Sequence, residues 1–357
     1  MSKSPVPGAP RFEIMEVETP SSSKSTSPSG KSLPQRPRDI ESSRQDGEQH
    51  QSPYILSDGE QFVLFGDSLI QGCFSPQLSF SFGAALSDLY TRKLDVINRG
   101  LSGYNTLQAL RAVPLCLPDP KEAKMRFALI MFGANDARIP DTPGGPEQSI
   151  SLSDYTKNLR HLVNHPTVKS HDACHIILVT PPPIDERKCL LADREKYPDL
   201  GRVLRRTCVN TARYAQAVRD LGAEMSLPVL DIHTAMLAHC GYSRDTAHLA
   251  GAIDAPANAN LQALLADGLH FSGDGYRLLF FELMTLIERT WPDQMPSRLP
   301  GRLPAWDYQP AWKKEAKVDG EKGDAVGPDW EDGSGYVVTG RFQGTLSEVR
   351  KMTRGVQ

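Results

Sequence analysis

The sequence has no long apolar run, no excess of basic residues and no paired cysteine motif. No stretch approaches the roughly 20 consecutive apolar residues that a bilayer-spanning helix requires. Lysine and arginine number 40 against 43 aspartates and glutamates, for a formal net charge of −3. A basic stripe typical of nucleic-acid binding is therefore missing. We expect neither a transmembrane segment nor a nucleic-acid partner.

Six cysteines are scattered along the 357 residues without forming a C-x-x-C pair. Disulfide frameworks are unusual in so large a chain, so we expect buried free thiols. The first residues, MSKSPVPGAP, lack the apolar segment of a secretory signal. The sequence also contains no N-x-Ser/Thr acceptor, and its last residues, RGVQ, match neither a prenylation nor a retention signal. Together these features predict a cytoplasmic protein.

Composition divides the chain into three parts. Residues 1–53 are rich in Ser, Pro and charged residues. They bury too little apolar surface to offset the entropy of ordering, which predicts a disordered tail. Residues 54–296 carry the apolar periodic segments of a folded domain. Residues 297–357 are again rich in Pro, Gly and charge, which predicts a C-terminal extension that is partly extended or disordered, with GYVVTGRF as a short strand.

The folded part alternates short apolar runs with helical patterns. Five runs are predicted as strands, near 62–66, 94–98, 127–132, 175–180 and 227–232. Continuous apolar strands that alternate with helices are typical of a parallel sheet covered on both faces. Two helices are expected to be limited by breakers, one at Pro114 and one at Gly222. The predicted fold class is α/β, a three-layer α/β/α sandwich with a five-stranded parallel sheet.

Polar residues stand in the loops that follow these strands. In chain order they are Asp67-Ser68, Gly103, Asn135-Asp136, and Asp267 with His270. In an open α/β sheet, ligands bind outside the carboxyl ends of the strands. Each feature alone is a weak signal, since Asp, Ser and Asn are ordinary turn formers. Their joint placement at successive strand ends favours one shared site.

The set supplies what acyl transfer requires. A serine hydroxyl needs an adjacent base at neutral pH, and His270 can take the proton of Ser68. Asp267 lies three positions before His270, so a tight loop can place its carboxylate on the other ring nitrogen. The backbone N–H groups of Ser68 and Gly103 and the side-chain amide of Asn135 can bind the oxyanion. The pattern predicts acyl transfer through a serine nucleophile.

Other polar residues compete for these roles. Asp67 and Asp136 either brace the loops from behind the catalytic residues or cap the helices that follow. His233 follows the fifth strand, and a structural imidazole bonded to backbone groups is favoured there over a second base. Asp231 ends a strand but lacks the close sequence link that Asp267 has to the histidine.

Two further groups are interpreted as structural, and a third segment is left between two interpretations. The spacing of four clustered histidines fits no compact zinc pattern: His161, His165, His171 and His175. A basic stretch is predicted to be a solvated helix face: Arg202, Arg205, Arg206 and Arg213. The Gly/Ala-rich segment 237–260 is either a lid over the site or a plain surface excursion.

Four motifs resemble the sequence blocks of the GDSL, or SGNH, hydrolases. They are FGDSL at 65–69, NRGLSGYNT at 98–106, FGAND at 132–136 and DGLHFS at 267–272. The runs LVTPPPIDE and DGLHFSGDGYRLLFFEL are similar to the isoamyl acetate-hydrolysing esterase subgroup. The resemblance covers roughly 61–291, and all four blocks are intact and in order.

The resemblance implies a flavodoxin-like sheet and ester hydrolysis without a metal or organic cofactor. Matched motif by motif, it places the nucleophile on Ser68, the oxyanion donors on Gly103 and Asn135, and the Asp–His pair on Asp267 and His270. The implied partner is a small-molecule ester, an acetate of an alcohol. A lysophospholipase, thioesterase or carbohydrate deacetylase of the same superfamily, or a non-catalytic scaffold, remains open. The sequence makes no prediction of oligomeric state.

Overall fold

The computed structural model describes residues 59–145, 147–246, 250–299 and 301–302. The predicted tail of 1–53, the predicted strand GYVVTGRF and most of the predicted extension of 297–357 lie outside the described residues. The three-part division of the chain therefore stays a prediction.

A single five-stranded parallel sheet lies at the centre of the described residues. Its order is β2-β1-β3-β4-β5, and every neighbouring pair is parallel. The strands are β1 (Gln61–Gly66), β2 (Asp95–Gly100), β3 (Met125–Met131), β4 (His175–Val179) and β5 (Val229–Leu230). Each overlaps the run predicted for it, so the prediction of a five-stranded parallel sheet is confirmed.

Helices cover both faces of this sheet. They are α1 (Ser68–Gln71), α2 (Phe82–Leu89), α3 (Thr106–Cys116), α4 (Leu152–Val163), α5 (Pro166–Lys169), α6 (Glu186–Lys196), α7 (Cys208–Met225), α8 (Ile232–His239), α9 (Ala259–Leu264) and α10 (Gly273–Thr290). Successive side chains of a strand point to opposite faces. Phe62 and Leu64 of β1 therefore pack with α2 and α10, whereas Val63 and Phe65 pack with α3, α4 and α7. This division gives the predicted three-layer sandwich.

The fifth strand is shorter than predicted. The run 227–232 was expected to be extended throughout, but β5 has two residues and α8 begins at Ile232. Asp231 ends the strand because its carboxylate accepts the backbone N–H of Thr234, at 3.1 Å, and so caps the new helix.

Two helix limits also differ from the prediction. Pro114 lies inside α3 rather than interrupting it, since the N–H of Leu117 still reaches the carbonyl of Val113, at 3.0 Å. Gly222 lies inside α7 and does not end it. A Cβ at Gly222 would come within 2.2 Å of the Val229 side chain, so glycine here permits close packing of the helix on β5.

The cysteines are unpaired, and two histidines of the predicted cluster make local structural contacts. All six cysteines are free; four are buried as expected, but Cys116 and Cys174 are only half-buried. His171 bonds two backbone groups, and His175 lies against the ring of Trp291 with a centroid distance of 4.5 Å. Across the described ranges, no group of three or more His, Cys, Asp or Glu side chains is arranged to hold a metal ion. Nor is any described helix long and apolar enough to cross a membrane.

Candidate active site

Ser68 is the first residue of α1, directly after β1. A Cβ at Gly66 would lie 2.4 Å from Ile70 Cγ1, and one at Gly100 would lie 2.0 Å from the backbone nitrogen of Gln71. The short helix therefore rests directly on the ends of β1 and β2, where only glycine fits. This close packing fixes the position of the serine.

The Ser68 hydroxyl lies beside the imidazole predicted to activate it. His270 Nε2 is 2.9 Å from Ser68 Oγ, and His270 Nδ1 is 2.7 Å from Asp267 Oδ2. The other carboxylate oxygen, Asp267 Oδ1, accepts the backbone N–H groups of Leu269 (3.0 Å) and His270 (2.8 Å). The structure therefore brings together the three residues that the sequence singled out as nucleophile, base and acid.

The Asp267 carboxylate is stabilised in its ionised form. Burial alone would raise its pKa, but the hydrogen bond and charge of His270, with the backbone N–H groups, outweigh burial and hold the pKa well below its usual range. An ionised carboxylate on Nδ1 keeps the proton of a neutral imidazole on that nitrogen. Nε2 is then left free to accept the serine proton.

The loop that carries Asp267 and His270 is held by a helix that the sequence analysis missed. The N–H of Asp185, at the start of α6, donates to the carbonyl of Gly268 (2.9 Å), and Lys188 Nζ donates to that of Leu265 (2.6 Å). Gly268 has a φ of +90°, and a Cβ there would lie 2.5 Å from the Asp185 carbonyl oxygen. The Asp185 cap, with acidic residues at the start and basic residues at the end of DERKCLLADREK, is the signal that would have predicted α6.

Gly103 stands in the loop after β2 with a φ of +82°. A Cβ there would meet only Gln148 Nε2, at 3.7 Å, so the left-handed backbone rather than crowding within the protein requires glycine. The Gly103 carbonyl accepts from Gln148 Nε2 (2.9 Å), and Gln148 Oε1 accepts from Arg138 (3.0 Å). These bonds tie the loop of the predicted oxyanion donor to Gln148 and Arg138.

Asn135 follows β3, and both ends of its amide are bonded. Its Nδ2 donates to the carbonyl of Tyr104 (2.9 Å), which links it to the Gly103 loop. Its Oδ1 accepts from Arg206 Nη2 (3.0 Å). The two predicted oxyanion donors beyond Ser68 are therefore held next to one another.

The prediction that the basic stretch forms a solvated helix face is wrong for two of its four arginines. Arg202 and Arg213 are exposed, but Arg205 and Arg206 retain only 7% and 8% of their accessible surface. Arg205 forms an ion pair with Asp193. The sequence does not reveal this burial. Both arginines lie before the first turn of α7, so the periodicity of the helix does not predict which way their side chains face.

Asp67 and Asp136 are fully buried, and each holds the start of a helix. Asp67 Oδ1 accepts the N–H of Leu69 in α1 (2.9 Å), which is the predicted cap. Asp136 Oδ1 instead accepts the N–H (3.0 Å) and hydroxyl (2.5 Å) of Thr106 in α3, a helix that precedes it in the chain. In both residues Oδ2 has no hydrogen-bond partner among the described residues. Burial raises the pKa of Asp67 to about 6 and that of Asp136 to about 7.

We expect Asp136→Asn to raise the melting temperature more at pH 8 than at pH 4.5. Because the folded pKa is about 7, above the ordinary value of 3.8, the stability contributed by this carboxyl is fully present below about pH 4. It is lost as the pH rises through 7. The amide mimics the protonated acid at every pH, so the gain at pH 8 is on the order of 2–4 kcal/mol, or about 5–10 °C.

Melting curves of Asp136→Asn and the parent at the two pH values test this. The matched control is Asp154→Asn, an exposed aspartate whose pKa is lowered by hydrogen bonds with Ser151 and Lys157. It should show no gain at pH 8. An equal shift of Asp136→Asn at both pH values would contradict the prediction.

The competing acid and base have other surroundings. Asp231 lies 2.9 Å from Arg219 and 2.8 Å from Arg244, and the hydrogen bond from Thr234 with these charges lowers its pKa against the opposing effect of burial. The backbone N–H of His233 donates to Thr180 Oγ1 (3.0 Å). The ring bonding expected of a structural histidine is not found at His233 Nδ1, which is buried without a partner among the described residues. Burial lowers the pKa of this imidazole to about 4.

The described part of segment 237–260 is tied to α6. Glu186 Oε2 accepts the N–H of Ile253 (2.9 Å), and Arg187 Nη1 donates to the carbonyl of Ala252 (2.7 Å). Residues 247–249 lie outside the description. Because these contacts fix the segment on α6, they favour the surface excursion over the lid for residues 250–260.

Comparison with known proteins places this geometry in a family. The sequence model of the GDSL-like lipase/acylhydrolase family matches residues 64–278. The isoamyl acetate-hydrolyzing esterase of Saccharomyces cerevisiae is 33% identical over 257 residues, which is 70% of this chain and 94% of that protein. The human isoamyl acetate-hydrolyzing esterase 1 homolog is 33% identical over 264 residues, 73% of this chain and 92% of its own.

Among solved structures, the lipase/acylhydrolase from Enterococcus faecalis covers 69% of this chain and 100% of its own, at 25% identity and a TM-score of 0.42. The family model spans more than half of the chain, and the yeast and human relatives match this chain over most of their own lengths. The chain therefore belongs to the GDSL-like lipase/acylhydrolase family and is a carboxylic ester hydrolase.

Proposed function

We propose that this protein hydrolyses short-chain esters of alcohols, acetates above all, through an acyl-enzyme formed on Ser68. The observation that carries the proposal is the pair of contacts at His270, 2.9 Å from its Nε2 to Ser68 Oγ and 2.7 Å from its Nδ1 to Asp267 Oδ2. A serine, its base and the group that orients the base stand in hydrogen-bonding order, as nucleophilic catalysis requires.

In the first step Ser68 Oγ attacks the ester carbonyl carbon while His270 Nε2 takes the hydroxyl proton. The carbonyl oxygen becomes an oxyanion, which accepts hydrogen bonds from the N–H groups of Ser68 and Gly103 and from Asn135 Nδ2. Asp267 stabilises the imidazolium that forms, which fits a carboxyl whose pKa is held low.

In the second step the tetrahedral intermediate collapses, the carbon–oxygen bond to the alcohol breaks, and His270 returns its proton to the leaving oxygen. Water then repeats the sequence on the acyl-enzyme: His270 takes a water proton, hydroxide adds to the acyl carbon, and Ser68 leaves with the proton. Acid and alcohol are the products, and the residues named supply every proton transfer.

The substrate range rests on the relatives. The yeast and human proteins are named for isoamyl acetate hydrolysis and match over 94% and 92% of their own lengths. An acetate ester of a small, branched alcohol is therefore the first substrate to examine. We also propose a cytoplasmic location, which six unpaired thiols in the described fold support, since a reducing compartment keeps thiols free.

A fluorophosphonate probe with peptide mapping, followed by a chain-length panel, tests this proposal. We expect the probe to label Ser68, and kcat/KM for p-nitrophenyl acetate to exceed that for the decanoate at least about tenfold, because a pocket shaped for a small acyl group excludes added methylenes. Absence of labelling at Ser68 would indicate a scaffold. Preference for the decanoate, or for a lysophospholipid, thioester or acetylated sugar, would reject the short-ester assignment.

A further inference from the structure

Arg206 is a buried cation whose hydrogen bonds go to the loop of the predicted oxyanion donor. Its Nε donates to the carbonyl of Ala134 at 2.7 Å, and its Nη2 donates to Asn135 Oδ1 at 3.0 Å. No ion pair joins it to a carboxylate within the part of the chain that the structure describes. Burial lowers the pKa of its guanidinium, while the charge of Asp67 is among the influences that oppose this effect.

A desolvated guanidinium without a paired carboxylate is an expensive feature for a fold. The neighbouring Arg205 is buried with its charge compensated: it forms an ion pair with Asp193, and its Cζ lies 4.8 Å from the ring centroid of Tyr197. Arg206 instead donates its hydrogen bonds to Ala134 and Asn135 of the FGAND motif. These bonds connect the buried charge to the predicted oxyanion donor.

The contacts of Asn135 determine which way its amide faces. Arginine can only donate, so the amide end that meets Arg206 must be the oxygen. The carbonyl of Tyr104 can only accept, so the end that meets it must be the NH₂ group, 2.9 Å away. One Nδ2 hydrogen is used on Tyr104, which leaves the other for an oxyanion.

We propose that Arg206 is a positioning residue of the oxyanion site, which locks the orientation of the Asn135 amide and polarises it toward stronger donation. The inference rests on the proposed function, since it requires Asn135 to bind the oxyanion. The positive guanidinium of Arg206, hydrogen-bonded to Oδ1, draws electron density away from Nδ2. The hydrogen bond from Nδ2 to the substrate oxygen therefore strengthens as negative charge develops on that oxygen. Arg206 thus acts through Asn135 and does not touch the substrate.

The test is a double-mutant cycle on kcat for p-nitrophenyl acetate. We expect Asn135→Ala to lower kcat about 10²-fold, as loss of one oxyanion donor does elsewhere. Arg206→Met should lower kcat about 10-fold or more with KM changed less than about threefold, because the contact acts on the transition state. In the Asn135→Ala background the same Arg206→Met change should cost less than about threefold, since its target is gone.

The matched control is Arg205→Met, which removes an equally buried guanidinium that makes no contact with Asn135. Its melting temperature should fall while kcat stays within about threefold of the parent. If Arg206→Met lowers kcat equally in both backgrounds, Arg206 has a general structural role and the inference is overturned. If Arg206→Met does not fold, Arg206→Gln, which removes the charge and keeps a side-chain NH₂ donor, takes its place in the cycle under the same criterion.

Failure of the proposed function has a different outcome. If Asn135→Ala itself leaves kcat unchanged, Asn135 is not an oxyanion donor, and the role of Arg206 is overturned with it. Absence of fluorophosphonate labelling at Ser68 is the separate outcome that rejects the acyl-enzyme mechanism. If Asn135→Ala is impaired but the effects of the two substitutions multiply, the mechanism stands and only the inference about Arg206 is rejected.

Discussion

Ser68→Ala is expected to lower kcat for p-nitrophenyl acetate by at least about 10⁴-fold. The change removes only the hydroxyl that lies 2.9 Å from His270 Nε2, so no acyl-enzyme can form. Residual turnover, about 10³-fold above the reaction in water, is expected because the oxyanion donors and the binding site remain. Fluorophosphonate labelling should disappear in the same variant.

Stability separates this effect from misfolding. Asp67 caps α1 through its own carboxylate and not through the Ser68 side chain, so the melting temperature should stay within about 2 °C of the parent. Ser102→Ala is the matched control, an exposed serine in the next loop that should retain parent activity. Parent-level turnover by Ser68→Ala would mean that another residue is the nucleophile.

The fold was predictable because its strands are short, apolar and separated by helical patterns. Where the prediction is wrong, a local hydrogen bond or a tertiary contact decides the structure instead. Asp231 turns the expected end of β5 into a helix start, and Gly222 continues α7 because it packs against Val229. Neither contact has a signature in hydrophobic periodicity.

The residues around the candidate site divide in the same way. Ser68, Asp267 and His270 were found from sequence because each stands in a short motif at a strand end, and the structure brings them within hydrogen-bonding distance. Arg206 and α6 were missed because they support the site through contacts distant in sequence. Arg206 lies 71 positions from Asn135, and only the folded chain shows that its charge points at the amide.

Asp267→Asn is expected to lower kcat about 10⁴-fold with little change in KM. The loop itself should persist, because the asparagine Oδ1 can still accept the backbone N–H groups of Leu269 and His270. The amide Nδ2 must then face His270 Nδ1 and donate to it. Nδ1 becomes an acceptor, the ring proton moves to Nε2, and Nε2 can no longer take the proton of Ser68.

Steady-state kinetics of Asp231→Asn, measured as a control, distinguishes this tautomer effect from the loss of any half-buried carboxylate near the strand ends. Asp231 is the competing acid that the sequence offered, and its bonds go to Arg219 and Arg244 rather than to the catalytic imidazole. Its substitution should therefore lower the melting temperature and leave kcat within about threefold of the parent. If Asp267→Asn loses less than about tenfold in kcat while Asp231→Asn loses more, the acid that orients His270 has been misassigned, and the proposed order of proton transfers would have to be rebuilt around Asp231.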